Sequence, residues 1–279
     1  MKVSLLTSIG SAACTAVTGP FQMVAGTLTA VGEATAVRTR THAYRPPGTL
    51  RARTREQHHH PARADDTPVF LVPGYLSHHA IWDTLLHRLH LSGFRNVVCL
   101  HYSPFKMDIP AIASVIATEV REAMRHSGSR GVHLVGYSLG GLAVRYAVQR
   151  LGLDDKVLGA VTIATPHRGS LLAHLGVGPA VRQLQYNSPL LSALPDIDAK
   201  QPVRWCLIGS QRDAVVPLSS ATAGRHISSC CIPDRGHLRI VKSPHMADVV
   251  VEYLSSITGL DTHAEDVRPR PLAGDAGRG

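Results

Sequence analysis

Ser138, Asp213 and His237 are of the types, and in the order along the chain, that nucleophilic catalysis needs. A serine hydroxyl is a weak nucleophile at neutral pH and needs a base to take its proton. An imidazole base needs in turn a carboxylate that orients it and stabilises its protonated form. Ser138 stands in Gly136-Tyr137-Ser138-Leu139-Gly140, after the apolar run "VHLV" and before the helical pattern "LAVRYAVQRLG". That setting fits a strand turned sharply into a helix, with the hydroxyl pushed out at the bend. The strained backbone of such a bend leaves no room for bulky residues two places either side, which is where the glycines are. The pentapeptide alone also fits an ordinary strand-to-helix turn. The elements around it have to decide.

From Thr67 onward, short apolar runs alternate with amphipathic stretches. The strands expected are "PVFLVPG", "NVVCLHY", "GVHLVG", "KVLGAVTIATP", "VRWCLIGS" and "HISSCCIP". Between and after them the helical period recurs in "IWDTLLHRLHLSGF", "IPAIASVIATEVREAMRHSG", "LAVRYAVQRLG" and "PHMADVVVEYLSSI". The second of these has Pro110 in its first turn and Gly128 just past its end, as a helix should. The alternation predicts an α/β fold: a mostly parallel central sheet with helices on both faces.

Reactive groups in such a sheet belong at the carboxyl ends of strands. Strand "RWCLIGS" empties into "QRDAVVP", which carries Asp213, and "HISSCCIP" empties into "DRGHLRI", which carries His237. The competitors fit less well. Asp196 and Asp198 lie away from a strand end, and Asp234 is placed to support the histidine's loop. His226 opens a strand, far from its carboxyl end, and His245 falls in the first turn of a helix. Acyl transfer further needs N–H donors for the oxyanion. The N–H of Leu139 is one. The second should come from the loop after the first strand, "VPGYLSHH", where Pro73 has no N–H to give, Gly74 allows close approach, and Tyr75 is positioned to donate.

On the motifs "VGYSLGG", "IATPHRGS", "RDAVVP" and "RGHLRI", residues 68–257 resemble the α/β-hydrolase superfamily, in particular bacterial lipases and esterases and the related inositol-deacylase-like group. The resemblance implies Ser138 as nucleophile, Asp213 as acid and His237 as base, with Tyr75 and Leu139 forming the oxyanion hole. One departure stands out. The family usually has His-Gly before the oxyanion donor, where this chain has Pro73-Gly74, so hydrogen bonds made by that histidine are missing here. The resemblance implies a serine carboxylic-ester hydrolase, lipase-like, working through an acyl-enzyme, without cofactor or metal, on a small-molecule or lipid ester. An acyltransferase or peptidase on the same triad is the nearest alternative, to be separated by a panel of ester, amide and thioester leaving groups. A non-catalytic interaction protein on a hydrolase fold is the alternative of another class. Such proteins typically lose a triad member, and none is missing here. Dehalogenase chemistry would want a carboxylate at position 138.

The remaining stretches set the domain organisation. At 279 residues the chain has room for one α/β domain. Residues 3–32 carry no charge. Phe21, Val24, Leu28 and Val31 recur at helical spacing, while Gly10, Gly19, Pro20 and Gly26 disfavour a spanning helix. Residues 1–37 therefore read as an apolar, amphipathic segment. It either lies on an anionic membrane surface or docks on its own domain. A membrane-associated or secreted protein and a cytoplasmic one both stay open.

The formal net charge is +9, and +6 of it falls between Arg38 and Ala64, seven arginines against Glu56. That stretch is Pro-, Thr- and His-rich without a hydrophobic period, so residues 38–66 are expected to be a solvated linker. No aromatic-interleaved basic surface accompanies it, which argues against nucleic-acid binding. His58–His60 read as solvated histidines. Residues 67–258 form the hydrolase-like domain, and residues 259–279 an expected disordered tail. The five cysteines show no metal spacing. A bridge from Cys206 to Cys230 or Cys231 stays open. Finally, about thirty residues between "TPHRGS" and "RWCLIGS", residues 170–202, exceed a usual connection. They are expected to form a small helical cap whose apolar face, with Leu190 and Leu191, lines an acyl pocket.

Overall fold

Short apolar runs bounded by Gly, Pro or Asn become the strands of one central sheet. The computed structural model describes residues 42–43, 66–233 and 235–260. The chain divides into two units, Met1–Arg38 and Thr39–Gly279, and the described residues belong to the second. The expected stripe of Phe21 to Val31, Cys14, His58–His60, Asp234 and the tail beyond Leu260 lie outside them.

Six parallel strands form the sheet: β2 (Val69–Val72), β3 (Val97–Cys99), β4 (Val132–Tyr137), β5 (Val157–Ile163), β7 (Arg204–Gly209) and β9 (Ser228–Cys231). Their spatial order is β3-β2-β4-β5-β7-β9. The expected parallel sheet is the observed one. One detail differs from the expected linker: β1 (His42–Ala43) pairs antiparallel with Val98 and Cys99 of β3. The backbone groups on that side of β3 would otherwise be unpaired, and even two residues cover them. Two further short strands, β6 (Ile197–Asp198) and β8 (Gly224–Arg225), pair with each other outside the main sheet.

The helices divide between the two faces as strand alternation dictates. Phe70 and Val72 point to one side, with Leu134, Ala160 and Leu207, and there meet α2 (Ile109–Ser127) and α3 (Leu139–Arg150). Val69 and Leu71 point to the other, with Val135, Val161 and Ile208, and meet α1 (Asp83–Leu91) and α8 (Pro244–Thr258). Both faces are dry, which explains the nearly continuous apolar runs of β2 and β4.

Local signals set the helix ends. The Asp108 side chain accepts from the Ala111 N–H at 2.9 Å, Pro110 occupies the first turn of α2, and Gly128 closes it at φ 66°.

Residues 170–202 hold a 3-10 turn (Leu171–Leu175), α4 (Pro179–Arg182), α5 (Pro189–Ala193) and β6. Their apolar residues split. Leu184, Leu191 and Leu194 are buried in the cluster shared with α2 and α3, and Leu190 packs against it. Leu171, Leu172 and Leu175 are exposed. A single acyl-facing side was the expectation, but helices of four or five residues are too short to hold one continuous stripe. The remaining helices, α6 (Leu218–Ala221) and α7 (His237–Ile240), are single turns at the carboxyl edge of the sheet.

Candidate functional site

The bend between β4 and α3 holds Ser138 at φ 52° and ψ −117°, a left-hand value that serine rarely adopts. Its neighbours explain the glycines. A Cβ on Gly136 would come within 2.5 Å of the Gly141 Cα. One on Gly140 would run into the Val72 and Pro73 carbonyls. The Ser138 N–H donates to the Ile163 carbonyl at 2.8 Å, which ties the bend to the end of β5.

His237, the first residue of α7, follows the edge strand β9 and reaches the serine that follows β4. Its Nε2 lies 3.0 Å from the Ser138 Oγ and its Nδ1 lies 2.8 Å from the Asp213 Oδ2. A carboxylate can only accept, so Nδ1 carries the proton and donates it to Asp213. Nε2 is then left with its lone pair facing the Ser138 hydroxyl, the tautomer that can take a proton from serine. The side chain of Asp213 is only 1% exposed and that of His237 10%. The other carboxylate oxygen, Oδ1, accepts from the Val215 and Val216 N–H groups, each at 2.8 Å. The buried charge is thus hydrogen-bonded at both ends, as a buried charge must be.

Two tyrosines fix the surroundings. The Tyr137 hydroxyl donates to the His237 carbonyl at 3.0 Å, and the two rings lie 5.3 Å apart. The Tyr102 hydroxyl donates to the Pro73 carbonyl. This bond pins the loop at the position where the resembled family has a histidine. Burial raises the pKa of both phenols, with the Asp213 charge adding to the effect at Tyr137, so both stay protonated.

Gly74 lies against the bend: a Cβ there would be 2.9 Å from the Tyr137 ring and 3.1 Å from the Ser138 Cβ. Tyr75 follows it, and Leu139 opens α3 with an N–H outside the intrahelical ladder. The backbones of all five expected site residues, Ser138, Asp213, His237, Tyr75 and Leu139, therefore belong to segments that converge at this end of the sheet.

The competing residues stand elsewhere. Asp196 pairs with Arg225 at 3.0 Å on the surface, and Asp198 sits in β6. His226 is exposed at φ 54° ahead of β9, and His245 is exposed in the first turn of α8. Cys99, Cys206, Cys230 and Cys231 are free thiols, and burial pushes Cys206 up to about 12. Among the described residues no three His, Cys, Asp or Glu side chains gather as a metal site.

A buried cluster that the sequence reading passed over lies behind the bend. Arg145 of α3 is 4% exposed and donates to the His167 carbonyl at 2.9 Å and the Pro195 carbonyl at 2.8 Å. It thereby ties "TPHRGS" and the end of residues 170–202 to α3. The His167 Nε2 is 2.9 Å from the Thr162 hydroxyl, and burial first, then the Arg145 charge, hold His167 well below the usual imidazole range.

Comparison with known proteins places the fold. The profile of the alpha/beta hydrolase fold family matches residues 67–202. No curated protein matches the chain in sequence. Among solved structures, it is similar to a Bacillus licheniformis lipase in its mature form, at 19% identity and TM-score 0.55, over 71% of this chain and 94% of that one. It is also similar to lipase B of Aspergillus fumigatus, at 18% identity and TM-score 0.59, over 70% of this chain but only 53% of that one. A monoacylglycerol lipase of Paleococcus ferrophilus matches at 17% identity and TM-score 0.51, over 68% of this chain and 96% of that one. Likeness at such identities is likeness of fold.

Proposed function

Because this chain belongs to the α/β-hydrolase superfamily, we propose that it is a lipase-like serine ester hydrolase with Ser138 as nucleophile, His237 as base and Asp213 as acid. The observation that carries this reading is the unbroken path from Ser138 Oγ to His237 Nε2 and from His237 Nδ1 to Asp213, at 3.0 and 2.8 Å.

The chemistry follows from that path. As Ser138 Oγ attacks the ester carbonyl carbon, its proton passes to His237 Nε2, and the charge formed on the imidazole faces the Asp213 carboxylate. The carbonyl oxygen becomes an oxyanion, held by the N–H groups of Tyr75 and Leu139. The C–O bond to the alcohol breaks as Nε2 returns the proton to the leaving oxygen. Water then repeats the cycle: His237 takes its proton, its oxygen attacks the acyl-enzyme, and Ser138 is released with its hydroxyl restored. Removing one oxyanion donor in such sites costs about 100- to 1,000-fold in kcat.

A panel of p-nitrophenyl esters, anilides and thioesters tests the reaction class. The proposal expects ester turnover well above amide turnover, and hydrolysis rather than transfer to added alcohol. Preferred amide cleavage would assign a peptidase, dominant transfer an acyltransferase, and no turnover of any substrate an interaction protein on this fold.

A further inference from the structure

Exposed large apolar side chains are ordinarily scattered over a protein surface. Here they are gathered. Apart from Leu91 at the end of α1, those at least half exposed among the described residues are Leu76, Phe105, Leu171, Leu175, Val177 and Leu238, between 50% and 81% exposed. All six sit on segments that follow the carboxyl ends of β2, β3, β5 and β9, the end of the sheet at which Ser138 stands. Three of these segments touch one another. The Tyr75 hydroxyl donates to the Val177 carbonyl at 2.9 Å, its ring is 5.6 Å from that of Phe105, and Gly178 lies against the backbone of Pro104 and Phe105. Leu76 follows Tyr75 directly at φ 56°, and Leu238 follows His237, the partner of Ser138. Leu76 and Leu238 thus adjoin residues of the Ser138 site, and the other tips stand at the same end of the sheet.

Charge on the same segments is one-sided. Residues 73–82, 100–107, 164–195 and 235–243 contain no Asp or Glu. They carry the half-buried Arg235 and, all exposed and in no ion pair among the described residues, Lys106, Arg168, Arg182, Arg239 and Lys242. Apolar tips interspersed with cations alone complement a surface that is apolar within and anionic at its boundary. A bilayer of anionic phospholipid has that profile: the tips enter the headgroup boundary and the cations meet the phosphates.

We propose that this face docks peripherally on an anionic phospholipid bilayer, with the mouth of the Ser138 site turned toward the membrane. No helix among the described residues is long and apolar enough to cross one. The substrates would then be esters presented at a lipid surface, a consequence that rests on the ester-hydrolase reading. Docking itself does not.

The test uses the full chain carrying Ser138→Ala, so that no lipid is consumed, sedimented with vesicles of phosphatidylcholine alone or mixed with phosphatidylglycerol. Binding is expected to the mixed vesicles, weakening with added salt. The pair Leu171→Ser with Leu175→Ser should weaken it about tenfold or more, since each leucine buries most of a side chain on docking. Lys106→Glu with Arg182→Glu should do likewise. In the Ser138 background both pairs should turn over p-nitrophenyl acetate like the parent, because all four side chains point into water. Three results overturn the proposal: no binding to mixed vesicles, equal binding to both compositions, or undiminished binding by both variant pairs, which would put the contact elsewhere on the chain. A self-associated parent that the leucine variants dissociate, without vesicle binding, would assign the face to a second copy instead. Absent p-nitrophenyl acetate turnover by the Ser138 parent would sink the ester reading, and leaves docking to be judged on sedimentation.

Discussion

Asp213 holds His237 through one carboxylate oxygen, at 2.8 Å from Nδ1, while Val215 and Val216 hold the other through their N–H groups. The division matters because a carboxylate free to rotate could offer either oxygen to the imidazole. With Oδ1 committed to the backbone, Oδ2 has a fixed direction, and the imidazole that donates to it has a fixed tautomer. Asp213→Asn keeps the shape but can present an N–H to Nδ1, which reverses the tautomer. A loss of about 10,000-fold in kcat is expected, with the fold intact by circular dichroism. A mild effect, with Asp196→Asn severe instead, would mean that another acid serves the histidine.

Tyr137 acts on the same histidine from behind, through the His237 carbonyl. Tyr137→Phe keeps the ring beside the imidazole and removes only the hydrogen bond, worth about 0.5–1.5 kcal/mol. A fall in kcat of roughly tenfold or less, with KM unchanged, is the expected signature of a positioning role. A rise in KM alone would place Tyr137 in substrate binding.

The leucines of residues 170–202 call for different experiments according to where they sit. Leu191 is buried with α2 and α3. Leu191→Asp places an unpaired carboxylate in that cluster and should lower the urea midpoint strongly, by several kcal/mol of stability. It should leave the ratio of octanoate to acetate turnover in the remaining folded protein near that of the parent. A selective loss on long acyl chains at unchanged stability would put Leu191 in an acyl pocket.

Much of this site could be read from the chain because its signals are local. Gly136 and Gly140 flank Ser138 within five residues, and Asp213 and His237 each stand shortly after a strand, β7 and β9, whose place in the alternation of strands and helices is legible in the chain. What escaped the sequence is what has no residue-type signature. The clamp on Asp213 is made by backbone N–H groups, which every residue but proline has. Tyr137 and the His237 carbonyl lie a hundred positions apart. The bond from Tyr102 to Pro73 likewise joins separate loops. The burial of Leu191 beside the exposure of Leu175 could not be read from periodicity, because α4 and α5 are shorter than two turns.

His133 in β4 is fully buried, and burial pushes its imidazole down to about 4. In the unfolded chain it titrates near its ordinary value of 6.5. Between those values the unfolded state binds a proton that the folded state does not, so stability rises with pH across this window and is lost as pH falls through it. The loss amounts to something on the order of 3 kcal/mol by pH 4. His167, held low in the same way, adds to it. Urea unfolding from pH 7 to pH 4 should show the decline, and His133→Phe, which keeps the edge contact with Phe94, should flatten it. An unchanged slope in that variant would remove His133 from the account.

The central claim, that Ser138 is the nucleophile, is tested most directly by fluorophosphonate labelling of the full chain, with the adduct located by mass spectrometry. The account predicts a single adduct on Ser138, abolished together with ester turnover in Ser138→Ala and strongly slowed in His237→Ala. An adduct on another serine, with Ser138→Ala still hydrolysing esters, would contradict it.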